Sequence, residues 1–115
     1  MRLLDGKVAI ITGAGGGLGR AYALLLAREG AAIVANDLGG SRDGTGAATT
    51  PAAERVSEEI RANGGRAVAD TSDVSTVEGG RRILESALQA FGHVDILINN
   101  AGILRDKTLV KLEES

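Results

Sequence analysis

No cysteine occurs in the 115 residues, so disulfides and thiolate metal sites are excluded. The single histidine, His93, cannot build a histidine cluster; it reads as a polar residue in the loop before an apolar run. Neither sign of charge dominates: 13 basic residues face 15 acidic ones, for a net charge of −2. That balance gives no electrostatic reason to expect nucleic acid or an anionic membrane as a partner. Long hydrophobic runs are also missing, and none approaches the roughly 20 residues that span a bilayer. The opening MRLLDG has no signal-peptide core, because Asp5 and Gly6 interrupt it at once. The expectation is a protein of the cytoplasm or an organelle matrix.

Glycine, by contrast, is abundant. It accounts for 17 of the 115 residues, about twice the usual ~7%. The excess falls at turns and helix ends, not in a low-complexity tail. Hydrophobic residues make up 43% of the chain, so a packed core is possible. The length suits one small domain or part of a larger one.

The stretch KVAIITGAGGGLGR, residues 7–20, organises the rest. Val8, Ala9, Ile10 and Ile11 form a short apolar run that reads as a strand buried on both faces. Glycines follow at 13, 15, 16, 17 and 19, and a helix-forming run begins at Ala21. Strand, glycine turn and helix together present backbone N–H groups and a helix N-terminus to a phosphate. Gly13 permits a tight turn, Gly17 lets a pyrophosphate approach the backbone, and Gly19 lets the helix pack close to the strand. The spacing is T-G-x-x-x-G-x-G, from Thr12 through Gly13 and Gly17 to Gly19, not the common G-x-G-x-x-G. The alternative for a glycine cluster is a plain surface loop.

The rest of the chain alternates. A first helix is expected over residues 18–29, with Leu18, Ala21, Tyr22, Leu25 and Leu26 on one face, Ala23, Leu24 and Ala27 widening it, and Gly30 as the stop. A second strand spans 31–35, and a long loop containing GGSRDGTG follows. Thr50 and Pro51 read as N-cap and first position of a second helix, which runs to about residue 63 with Ala53, Val56 and Ile60 inward. A third strand is expected over 66–69. Ser75-Thr76-Val77-Glu78 reads as a capping box for a third helix, with Val77, Ile83, Leu84, Ala87, Leu88 and Phe91 inward and Gly92 as the stop. A fourth strand covers 94–98, and Asn99-Asn100-Ala101-Gly102 turns away from it. The β-α-β-α-β-α-β pattern implies an α/β fold: a parallel sheet with right-handed crossovers in the order 3-2-1-4, the first half of a doubly wound Rossmann fold.

Asp37 ends the second strand, 18 residues after Gly19. An acid there hydrogen-bonds a ribose 2′-hydroxyl and repels a 2′-phosphate; the alternative is a strand-end Asx turn. Residues 14–16 carry no Arg or Lys to pair with a 2′-phosphate, so both observations point to NAD as the cofactor. Asp73 and Val74 follow the third strand and could meet an adenine, or Asp73 could simply precede the capping box. Asn99, Asn100, Ala101 and Gly102 lie on the same sheet edge as the glycine turn, where Asn side chains tie loops together and small residues let a cofactor lie close.

TGAGGGLG, Asp37, Asp73-Val74 and NNAG, in this order and spacing, resemble the short-chain dehydrogenase/reductase family over nearly the whole chain. Within it, RAYALLLAREGAAIVANDLGGSRDGTG and NNAGILRDK look like the (3R)-hydroxyacyl-CoA dehydrogenase units of multifunctional enzymes of type 2. The resemblance implies Gly13, Gly17, Leu18 and Gly19 at the pyrophosphate, Asp37 at the adenosine ribose, Asp73 and Val74 near adenine, and Asn100 near the nicotinamide ribose. It also implies an NAD-dependent oxidoreductase that acts on a secondary alcohol or ketone as small-molecule substrate, and a homo-oligomer when full-length. A 3-oxoacyl carrier-protein reductase, which shares N-A-G-x-x-R-D, is disfavoured by Asp37 because it prefers NADP.

The family's Tyr-x-x-x-Lys pair and upstream Ser do not match here. The one tyrosine, Tyr22, lies in the first helix with Leu26 four residues on. The chain is therefore expected to be the NAD-binding N-terminal part, residues 1–115, of a dehydrogenase of roughly 250–300 residues, with no catalytic residues and no metal site of its own. A stand-alone, non-catalytic nucleotide-binding module is the other class this sequence fits.

Overall fold

The computed structural model describes residues 3–38 and 51–100. Four strands and three helices alternate: β1 (Val8–Thr12), α1 (Gly17–Arg28), β2 (Ala32–Asn36), α2 (Ala52–Ala62), β3 (Ala67–Asp70), α3 (Val77–Phe91) and β4 (Ile96–Asn99). The strands form one parallel sheet in the order β3-β2-β1-β4, as the alternation predicts.

The steps from β1 to β2 and from β2 to β3 run in one direction across the sheet, while the step from β3 to β4 runs back. Right-handed crossovers then put α1 and α2 on one face and α3 on the other. The packing agrees. Ala9, Ile11, Ile33 and Ala35 meet Ala23 of α1 and Val56 and Ile60 of α2. Their alternating neighbours Ile10 and Val34 meet Ile83 and Ala87 of α3. Every residue of β1 and β2 is buried, which is why these strands read as unbroken apolar runs. Each fully buried Ile or Val contributes about 1.5–3 kcal/mol relative to exposure.

The helix faces correct the sequence expectation. On α1 the buried residues are Gly19 and Ala23, with Leu24, Leu26 and Ala27 packed beside the core. Leu18, Tyr22 and Leu25 are instead exposed. Both sets recur at helical spacing, and the smaller one faces the sheet because only small residues let the helix axis come this near β1. On α3 the same holds: Gly79, Ile83 and Ala87 are buried, while Val77, Leu84 and Leu88 are exposed. Val77 and Leu84, with Leu97 of β4, line an apolar groove of about 430 Å³ that Ile10 and Thr12 also border. Ala53, Val56 and Ile60 of α2 do face inward, joined by Ser57.

Helix starts and strand ends also differ from expectation. Pro51, with φ −55° and ψ 147°, is itself the N-cap of α2, and the helix begins at Ala52; Thr50 lies outside the described residues. The expected capping box does not form: the N-cap of α3 is Thr76, one residue later, its Oγ1 accepting from the Gly79 amide at 2.9 Å, and Gly79 has no side chain to reach back. Ser75 turns back, donating its hydroxyl and backbone N–H to Asp73 Oδ1. Strands β2 and β3 start and end one residue later than expected, and β4 is limited to Ile96–Asn99. The register sets these ends, because Thr12 pairs with both Asn36 and Asn99, and Asn36 pairs with Asp70. His93 is the loop residue expected of it: its Nε2 lies 3.0 Å from the Gly6 carbonyl and 3.0 Å from Asp95 Oδ2.

Candidate functional site at the carboxyl edge of the sheet

Asp70, Asn36, Thr12 and Asn99 stand side by side in register, one from the last position of each strand. They form a polar row where the apolar sheet stops. Asn36 donates its side-chain amide to Asp70 Oδ1 at 2.8 Å and to the Ser72 carbonyl at 3.0 Å. Asp70 also accepts from the Ser72 amide and hydroxyl, and from Ser86 Oγ of α3 at 2.9 Å. Thr12 Oγ1 donates to Asn99 Oδ1 at 3.2 Å. Asn36 and Thr12 are each only 1% exposed, so these bonds replace water that the groups have lost. Sequence reasoning missed Asn36 and Asp70 as parts of the site. The available signal was that each strand run closes on a polar residue; that these residues align in one row follows only from the register.

The glycine turn rises directly from this row. Gly13 (φ 65°) and Gly17 (φ 55°) both occupy the left-handed region, which glycine enters without steric cost. A Cβ on Gly19 would lie 1.9 Å from the Gly13 carbonyl oxygen, so glycine is needed there for α1 to pack against the turn. Asn100 donates its side-chain amide to that same Gly13 carbonyl at 3.2 Å and so ties the end of β4 to the turn.

The N-terminus of α1 is open. Its N-cap is Gly16, no side chain caps it, and its first turn carries no acid. The contrast is α3, which has Thr76 as cap and Glu78 in its first turn. A Cβ on Gly16 or Gly17 would meet no atom within 4 Å. Unpaired amides, the positive end of the helix dipole and free space in front of them are what an anionic group requires. The residues present therefore fit a pyrophosphate. Leu18, 61% exposed, flanks this space.

Asp37 follows β2 directly. Its backbone N–H donates to the Asp70 carbonyl at 3.0 Å, and its Oδ2 accepts from the Gly15 amide at 2.7 Å. The carboxylate is thus held over the glycine turn. Asp73 and Val74 stand on the loop between β3 and α3, which the Asp70 network and the Thr76 cap fix at both ends. Val74 packs against the core on the α3 side. The structure therefore brings Gly13, Gly17, Leu18, Gly19, Asp37, Asn99 and Asn100 to one edge of the sheet, with Asp73 and Val74 on the adjoining loop. Ala101 and Gly102 lie outside the described residues. Among the described residues no group of three or more His, Asp or Glu is placed to hold a metal ion. No helix of theirs is long and apolar enough to cross a membrane.

Comparison with known proteins gives concordant results. A family model described as short chain dehydrogenase matches residues 7–115. The peroxisomal multifunctional enzyme type 2 of Drosophila melanogaster is 57% identical over 110 residues, which is 96% of this chain and 18% of that enzyme. The crystal structure of a short chain dehydrogenase from Mycobacterium avium superposes with a TM-score of 0.78 at 50% identity, covering 88% of this chain and 36% of the other. A 7α-hydroxysteroid dehydrogenase, solved with NADH and 7-oxo glycochenodeoxycholic acid, superposes with a TM-score of 0.69 at 38% identity, over 82% and 33% of the two chains. The chain thus spans well under half the length of these proteins.

Proposed function

The chain belongs to the short-chain dehydrogenase family, and from that premise we propose that it is the NAD-binding part of an oxidoreductase. The reaction is hydride transfer between a nicotinamide and a secondary alcohol or ketone. The likeness to multifunctional enzyme type 2 favours a 3-hydroxyacyl-CoA as the substrate class. The proposal covers residues 1–115 as a single half-domain devoted to the cofactor.

The observation that carries this reading is the uncapped N-terminus of α1, open to the solvent beside the Asp37 carboxylate. Gly13, Gly17, Leu18 and Gly19 would bind the pyrophosphate through main-chain N–H groups. Asp37 would accept from the adenosine ribose hydroxyls, a charge-assisted interaction worth about 1.5–3 kcal/mol. Asp73 and Val74 would border the adenine, while Asn99, Asn100, Ala101 and Gly102 would border the nicotinamide ribose. When bound, the nicotinamide supplies the hydride chemistry; the residues of this chain bind and orient it. The chain's one tyrosine, Tyr22, has Leu26 four residues on and sits on the outer face of α1, so this stretch contributes no proton-transfer pair.

Titration of NADH by its fluorescence tests the reading on the protein carrying this chain. Saturable binding that competes with ADP-ribose is expected. Binding of nicotinamide mononucleotide with no binding of ADP-ribose would sink it, because the proposed contacts lie on the adenosine and pyrophosphate.

A further inference from the structure

Gly15 and Gly16 are consecutive in the same turn, yet their surroundings differ. A Cβ on Gly16 would meet nothing within 4 Å. A Cβ on Gly15 would lie 2.4 Å from the Ala52 Cβ, 2.5 Å from Asp37 Oδ2 and 2.9 Å from Asp37 Cγ. The Gly15 amide also donates to that same Oδ2 at 2.7 Å. We propose that Gly15 is a specificity-determining residue: its N–H and its missing side chain hold the Asp37 carboxylate where it reads the 2′ position of the adenosine ribose. The inference rests on the NAD reading above.

The bond is short and charge-assisted, and it fixes one carboxylate oxygen against the turn. The main chain of Asp37 is secured separately, its N–H donating to the Asp70 carbonyl at 3.0 Å. A methyl group at position 15 therefore has two neighbours to displace. The Ala52 Cβ is the first side-chain atom of α2 and has no rotamer to change. The Asp37 side chain can rotate about χ1 while its backbone stays in place, so it is the group that yields. Once it moves, two effects follow together: the ribose hydroxyls lose their acceptor, and a 2′-phosphate loses the negative charge that repels it. A substitution at position 15 thus reaches cofactor choice without adding or removing a charge.

NADH and NADPH are titrated by fluorescence against the protein carrying this chain as wild type, Gly15→Ala, Gly16→Ala and Asp37→Ala, with circular dichroism to confirm folding. Gly15→Ala should narrow the preference for NADH over NADPH by about the factor seen in Asp37→Ala, roughly tenfold. Gly16→Ala should move both affinities together and leave the preference as it was. An unchanged preference in Gly15→Ala, alongside a narrowed one in Asp37→Ala, overturns the role of Gly15 and leaves the NAD reading standing. An unchanged preference in Asp37→Ala removes that reading and this one with it. A shift in Gly16→Ala equal to that in Gly15→Ala would show that any added methyl in the turn has the same effect, which also overturns the proposal. If Gly15→Ala does not fold, Gly15→Ala with Ala52→Gly relieves the α2 contact and keeps the clash with Asp37. That double variant must show the narrowed preference, and a wild-type preference in it overturns the proposal.

Discussion

Asn36 donates its side-chain amide to Asp70 Oδ1 at 2.8 Å, across the register in which the two residues face each other on β2 and β3. Both are nearly sealed from water, at 1% and 8% exposure. Asp70 also accepts from Ser72 and Ser86, so a single carboxylate joins two strands, a loop and α3. Asp70→Ala strands the buried Asn36 amide, at a cost of about 1–3 kcal/mol, and removes the acceptor of the part-buried Ser72 and Ser86 donors as well. A fall in the urea midpoint equivalent to at least about 2 kcal/mol is expected, with a smaller fall for Asp70→Asn. Equal midpoints for wild type and Asp70→Ala would show the network to be without energetic weight.

Gly19→Ala is expected to be more damaging than its size suggests. The added methyl would lie 1.9 Å from the Gly13 carbonyl oxygen and 2.8 Å from the Asn100 amide. The first is main chain and cannot rotate away. Overpacking of this kind costs about 1–3 kcal/mol or more. The turn itself must shift, so dinucleotide binding should weaken along with thermal stability. A fully stable Gly19→Ala protein with wild-type NADH affinity would contradict the packing of α1 on β1.

Cofactor choice should follow Asp37. NADP would set a dianionic phosphate beside the carboxylate, and residues 14–16 offer no Arg or Lys to offset it. A preference for NAD of at least about tenfold, or ~1.4 kcal/mol, is expected. Asp37→Ala should weaken NAD and narrow the gap. Equal affinities in the wild type, measured by parallel titration of both cofactors, would reduce Asp37 to a strand-end turn residue.

The start of α3 offers a local test of the cap. Thr76→Ala removes the acceptor of the Gly79 amide and should cost about 1 kcal/mol. Ser75→Ala removes only an exposed hydroxyl bond to Asp73 and should cost less. Thermal melts of the two variants decide it, and the reverse order would restore the capping box to Ser75.

Assayed alone, the 115-residue polypeptide should produce no NADH from secondary alcohols or hydroxyacyl thioesters, since Tyr22 has no lysine partner four residues on. The side chain is 37% exposed on α1, so Tyr22→Phe should change neither binding nor fold. Turnover that disappears in Tyr22→Phe would overturn this assignment.

The sequence by itself determined the order of elements, the parallel sheet and the placing of the glycine turn. Each of these rests on local chemistry: apolar runs for the buried strands, glycines at helix ends, and a helix-forming run just after the glycine cluster. Asp37 was also legible, because its place at the end of an apolar run follows from chain order alone. Only the tertiary structure decided which of two helical stripes on α1 and α3 faces the sheet. Periodicity marked one broad apolar face on each helix, and the closeness of helix to strand chose Gly19 and Ala23 on α1, and Gly79 beside the expected Ile83 and Ala87 on α3, over Leu18, Leu25, Leu84 and Leu88. It also decided the bond from the Gly15 amide to Asp37 and the row from Asp70 to Asn99. Those contacts depend on strand register and on residues far apart in the chain, and no local pattern in a single sequence encodes that distance.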